Sequence, residues 1–145
     1  MKEAKMNKLA AATAVVLSTI TFITLQLVEA MSKSPMPITA VSRKVLEQIA
    51  ISGTDEELRL MLVEFPPGYA NIAHSHPVAS VCYVIEGTAL SQYEGEEIKQ
   101  FSAGQSYQDQ ANKTHLIFRN ASSEAALRFI CAAKIKIGVP FLQPK

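Results

Sequence analysis

The clearest alternation in the chain runs from Asp55 to Phe65. Leu58, Leu60 and Leu62 fall on one face, Arg59, Met61 and Val63 on the other. A period of two is the pattern of a β-strand. Pro66-Pro67-Gly68 ends it, with Pro67 and Gly68 suited to the two central positions of a type II turn. The same grammar continues. Val81 to Ile85 is an apolar run closed by Glu86-Gly87, and Thr88–Tyr93 and Ile98–Phe101 flank a Glu94-Gly95 hairpin turn. Ala103-Gly104 turns the chain into a short strand at Ser106–Asp109, and His115–Phe118 is apolar. Asn120 to Glu124 turns again, and Ala125–Ile137 supplies a long closing strand. Pro77 belongs at an edge or a bend. Ile38–Gln48 reads as an edge strand of mixed period; Ser42–Ala50 also fits a short helix through Val45, Leu46 and Ile49. Short strands at spacings of about ten residues predict an all-β sandwich or barrel.

The first thirty residues follow different rules. Lys2, Lys5 and Lys8 precede a stretch from Leu9 to Val28 without a charge, and Val28-Glu29-Ala30 offers a cleavage site. This is the pattern of a secretory signal peptide over residues 1–30. The apolar run is also close to the ~20 residues that span a bilayer, so an uncleaved membrane anchor over residues 9–28 is the alternative. Threonines and Gln26 dilute the run and favour cleavage. Both readings export the domain, to the periplasm or the medium. Residues 31–37, with two serines and two prolines, form a linker, and residues 38–145 are the folded domain. Of the 145 residues, about 115 follow the leader, enough for one hydrophobic core. The formal charge is +1, and without the leader's three Lys and two acidic residues it is zero. With no basic stripe and no Trp, nucleic acid is excluded as a partner.

The candidate chemistry rests on three histidines. In His74-Ser75-His76 the two imidazoles share one face of an extended chain, and imidazole is the commonest protein metal ligand. His115 lies on a later strand. Cys82 and Cys131 both sit in apolar runs. They read as buried free thiols, or as a disulfide if their strands are neighbours.

The order of these features resembles the cupin superfamily. The first cupin motif is Gly, five residues, HxH, three or four residues, Glu, six residues, Gly; Gly68, His74, His76 and Gly87 fall at matching positions. The second is Gly, five residues, Pro-x-Gly, two residues, His, three residues, Asn; Gly104 and His115 match. The departures are specific. Ser80 stands where the motif glutamate would, Gln110 and Asn112 replace Pro and Gly, and Asn120 comes one residue late. Asn tolerates the left-handed backbone that the lost Gly would supply. Gln108 to His115 resembles a worn "Glu-Pro-Pro-Gly-x-x-His" of one group of small cupins, with Asp109 at the acidic position.

The resemblance implies a single-domain jelly-roll β-barrel with a divalent metal on His74, His76 and His115. Iron, zinc, manganese, nickel and copper all suit imidazole ligands. Three neutral ligands leave coordination positions open and keep the metal's full charge, favouring a chelating or anionic substrate. Three-histidine cupins include iron dioxygenases, so a dioxygenase-like oxidoreductase is the first expectation. A non-catalytic cupin that holds a small ligand or metal is the alternative, and isomerase chemistry would need an acid/base that the sequence does not identify. Around the metal, Ser80 either widens the pocket or supports a bound water. Gln108 faces the cavity or the turn, and Asp109 bonds to a ligand histidine or stabilises the turn. Arg119, which shares the parity of His115, either receives an anion at the barrel mouth or is a solvated surface residue. A homodimer is a further expectation, with Ile38–Gln48 exchanged between protomers.

Overall fold

A computed structural model of the chain describes residues 38–145. The expected leader and linker, residues 1–37, lie outside the described residues. Ten strands follow one another: β1 Ser42–Ala50, β2 Glu56–Phe65, β3 His74–Ser75, β4 Ser80–Glu86, β5 Thr88–Tyr93, β6 Lys99–Ser102, β7 Ser106–Asp109, β8 His115–Asn120, β9 Leu127–Lys136 and β10 Gln143–Pro144. They form two antiparallel five-stranded sheets, ordered β1-β2-β9-β4-β7 and β10-β3-β8-β5-β6, in a jelly-roll arrangement. No described residue is helical. The helical reading of Ser42–Ala50 gives way because pairing with β2 fixes an extended backbone over its whole length.

The alternation along β2 decides which face is core. Met61, Val63 and Phe65 point inward, whereas Leu58 is 54% exposed on the outer face. The inner residues join Val84, Tyr107, Phe118, Leu127 and Phe129. The Phe65 ring meets Tyr69, Phe118 and Phe129 edge-on at centroid distances of 4.7, 5.8 and 5.5 Å. Such contacts add about 0.5–1.5 kcal/mol each to the burial itself. The turn read from Pro67-Gly68 is present, with Gly68 at φ 71° and the Tyr69 amide donating to the Pro66 carbonyl at 3.2 Å. Gly87 is required twice over: its φ is 81°, and a Cβ there would stand 2.5 Å from the Ala126 carbonyl oxygen.

The free-thiol reading of the cysteines is corrected. Cys82 on β4 and Cys131 on β9 are directly opposite each other, 4.1 Å apart at Cα, and form a disulfide. The short Cα separation is that of a non-hydrogen-bonded antiparallel pair, where side chains approach most closely.

Candidate metal centre

Each histidine is placed by a different local device. His74 opens β3, and its Nδ1 lies 2.8 Å from the Ile72 carbonyl. His76 follows β3, its backbone bridged to Ala111, and its Nδ1 lies 2.9 Å from the Phe141 carbonyl. A carbonyl only accepts, so both Nδ1 atoms donate, and in the neutral rings Nε2 keeps the lone pair. The Asn112 amide donates to the His76 carbonyl at 2.8 Å, and Asn112 takes φ 57°, the left-handed backbone expected of it.

His115 reaches the same space through a bulge. Tyr93 pairs with His115 and Gln92 with Ile117, so Leu116 is an extra residue in β8. The bulge shifts the alternation by one. His115 therefore shares its face with Phe118 and Asn120, all buried, and not with Arg119, which is exposed. His115 Nε2 is 2.8 Å from Ser91 Oγ, and the ring stacks on Tyr93 at 4.0 Å. The three imidazoles bring one nitrogen each to within 4.8 Å of one another, and all three residues are buried.

Two of those nitrogens, His76 Nε2 and His115 Nδ1, are buried without any hydrogen-bond partner. The Asp109 carboxylate stands close to both, with Oδ2 at 3.7 Å from His76 Nε2 and Oδ1 at 4.0 Å from His115 Nδ1. Ser80 Oγ donates to Asp109 Oδ2 at 2.9 Å, and Tyr93 Oη donates to Oδ1 at 3.0 Å. Burial, and then the Asp109 charge, push the Tyr93 hydroxyl far above its ordinary range, so it stays a donor. Burial lowers His74, and it holds His115 down at about 3 with help from His74 and His76. Both rings are therefore neutral at neutral pH, the form that binds metals.

A cavity of about 640 Å³ opens onto these groups. Its wall is apolar, including Phe65, Ile72, Phe118, Phe129, Phe141 and Leu142. The volume falls within the ~300–1,000 Å³ usual for small-molecule sites.

Of the residues singled out from sequence, the structure brings together His74, His76, His115 and Asp109 around this cavity, with Ser80 behind Asp109. Gln108 and Arg119 are not part of it. Gln108 alternates with buried Tyr107 and Asp109 and faces outward, and Arg119 is turned out by the Leu116 bulge. The sequence reading missed Ser91, Tyr93 and Arg43. Ala89, Ser91 and Tyr93 are the buried positions of β5, so its simple alternation was the available signal for two of them. Arg43, which lines the cavity, lies in a strand of mixed period that gives no such signal.

The cupin-domain family profile matches residues 61–133. No curated protein matches the chain. A cupin-like protein from Thermotoga maritima shares the fold with a TM-score of 0.57 and 20% identity, over 72% of this chain and 75% of that one. An uncharacterized conserved protein with a double-stranded β-helix domain from Klebsiella pneumoniae gives 0.54 and 18%, over 79% and 93%. The DMSP lyase DddQ from Ruegeria pomeroyi gives 0.57 and 16%, over 73% of this chain and 52% of that protein. At these identities the likeness is one of fold. With both histidine motifs inside the matched jelly roll, the chain belongs to the cupin-domain family.

Proposed function

We propose that this chain is an exported metalloprotein that holds a divalent metal on His74, His76 and His115 and acts as a dioxygenase-type oxidoreductase on a small organic substrate. One observation carries the metal. Two buried imidazole nitrogens without partners face a buried carboxylate at 3.7 and 4.0 Å. At His76, where Nδ1 donates to the Phe141 carbonyl, an unprotonated Nε2 facing the carboxylate sets acceptor against acceptor, an arrangement that a cation between them relieves; the Ser91 hydroxyl beside His115 Nε2 serves either tautomer of that ring. The residues present therefore fit a metal. Asp109 adds the carboxylate missing at Ser80: the two are cross-strand partners on β4 and β7. The ligand set is the three imidazoles, with the Asp109 carboxylate beside it, suited to iron, manganese, zinc, nickel or copper.

Bound iron would supply oxygen activation, the chemistry on which the oxidoreductase reading depends. The chain's own contribution is orientation. The Ile72 and Phe141 carbonyls set the tautomers of His74 and His76, Ser80 and Tyr93 fix the carboxylate, and the apolar wall excludes water from the reacting centre. The disulfide and the leader pattern support export, since such bonds persist in oxidising compartments. A non-catalytic ligand-binding cupin is the second reading. Both Asp109 oxygens accept hydrogen bonds, so the one carboxylate that lines the cavity among the described residues is not a free general base.

Metal analysis of protein purified from the exported fraction tests the shared premise. Wild type should carry about one metal ion per chain and His76→Ala less than a tenth of that. Equal, substoichiometric content in both would sink the metal site. Oxygen uptake by iron-loaded protein with thiols, diketones and catechols separates the readings. Uptake with none of them leaves the binding module.

A further inference from the structure

We infer that the cavity has a second polar group, Arg43, and that it takes a molecule with a carboxylate at one end and an apolar body. The inference deepens the proposed function, on which it rests for the identity of the histidine site.

Arg43 sits on β1 directly opposite Val63 of β2. Cross-strand partners share a face, and Val63 is a buried residue of the inner face, so Arg43 is aimed over the cavity rather than away from it. Among the described residues it is the only Arg or Lys lining the cavity. Its position is fixed on two sides. Nη2 donates to Asn71 Oδ1 at 2.8 Å, and the guanidinium carbon lies 5.9 Å from the Phe65 ring centroid. Asn71 is itself tied down, its amide donating to the Phe118 carbonyl and its Oδ1 accepting from Tyr69 Oη.

The charge of Arg43 is not matched. Arg59 pairs with Glu57, and Arg128 with Glu64. Among the described residues no carboxylate lies within 4 Å of Arg43. A guanidinium presents five donors in a planar fork, and Asn71 occupies one of them. The remaining edge matches a carboxylate, for which Arg is better shaped than Lys. Arg43 thus takes the anion-receiving role that sequence parity suggested for Arg119.

Away from these groups the wall is apolar and aromatic. A small inorganic anion would leave that wall unfilled, and a neutral apolar molecule would make no use of Arg43, which is solvent-exposed at the cavity edge. A monoanionic carboxylate with an apolar body satisfies both. One guanidinium balances one negative charge, which favours a carboxylate over a phosphate dianion.

Titration calorimetry with octanoate, octan-1-ol and octyl phosphate, on metal-free and zinc-loaded protein, tests this. Octanoate should bind at least about tenfold more tightly than octan-1-ol in both forms, the preference expected of a hydrogen bond to a charged group. Arg43→Leu should abolish that preference while octan-1-ol still binds, the alcohol reporting that the cavity is still folded. Arg43→Lys should keep part of it. Equal affinities of wild type for octanoate and octan-1-ol would overturn the inference, as would wild-type octanoate affinity in Arg43→Leu. Tighter binding of octyl phosphate than of octanoate would overturn the carboxylate assignment. If octanoate binding disappears on metal removal but survives Arg43→Leu, the carboxylate sits on the metal; the inference fails and the metal site stands. An Arg43-dependent preference in a chain that takes up no metal supports the inference and removes the metal reading.

Discussion

In one sheet β2 and β9 run through ten residue pairs without a break, with register shifts only where β1 and β4 flank them, while the other contains two strands of two residues each and a bulge in β8. The regular sheet is also cross-linked. The disulfide ties β4 to β9, and Arg128–Glu64 and Lys136–Asp55 join the ends of the β2–β9 ladder or the turn that precedes it. Beside the irregular sheet, carbonyls of the connecting segments do other work. The Ile72 and Phe141 carbonyls, both outside any strand, orient His74 and His76. A fully paired strand cannot spare carbonyls in this way, because its ladder consumes them. The difference teaches that regularity is concentrated where stability is needed and given up where side chains must converge.

Removing the disulfide should have the largest effect on this division. The bond closes a separation of 49 residues, and loop-closure entropy gives about 4 kcal/mol for a loop of that size. A Cys82→Ala/Cys131→Ala double variant should lose stability of that order in urea unfolding, yet keep its metal content per folded chain. A loss of metal as large as the loss of stability would show that the regular sheet also builds the site.

The elements of both sheets were readable because alternation and turn residues are local signals. β5 and β7 run over the residues expected of them, and the Pro67-Gly68 turn and the left-handed Asn112 are local chemistry. What could not be read depends on register between distant strands. The Cys82–Cys131 pair needs β4 beside β9 with those residues opposite. The inner face of Arg43 needs its pairing with Val63. The Leu116 bulge overturned parity, which pointed to Arg119. It also accounts for the late asparagine: with one extra residue between them, His115 and Asn120 share a face. Asn120 is buried there, donating to the Pro66 and Ala125 carbonyls and accepting from the Ser122 amide. That is a corner of the fold and not a ligand.

The next effect comes from pH. His115 is held at about 3 against an unfolded value near 6.5. Below pH 6.5 the unfolded chain takes up a proton that the folded chain refuses, so stability falls as pH drops from 6.5 towards 3 and is level above 6.5. The loss from this residue by pH 5 should be about 2 kcal/mol, and His74, also lowered by burial, adds to it in the same direction. Urea unfolding of metal-free protein at pH 7 and pH 5 measures it, and His115→Asn should flatten the slope. An acid loss of the same size in His115→Asn would place its origin elsewhere, first in His74.

The smallest effect is the most discriminating, because Ser80 stands where the two sheets' tasks meet. It lies on β4 of the regular sheet, is 3% exposed, and donates to Asp109 Oδ2 on the neighbouring strand. Ser80→Ala removes one of the two hydroxyl donors to that carboxylate and leaves Tyr93 in place. A buried hydrogen bond to a charged group is worth about 1.5–3 kcal/mol, and the fold loses less if the Asp109 side chain can relax, so a stability loss near ~1.5 kcal/mol is expected. If Ser80 only fills space, metal affinity should not change, because alanine fills nearly the same volume. If Ser80 aims the carboxylate at the metal, affinity should fall about tenfold, in the ~10–100-fold range typical when a residue orienting a ligand is removed. Ser80→Thr, which keeps the hydroxyl, should restore it. Zinc titration of the three proteins against a competing chelator separates these outcomes. A Ser80→Ala protein with wild-type affinity would confine the site to the irregular sheet and its three imidazoles.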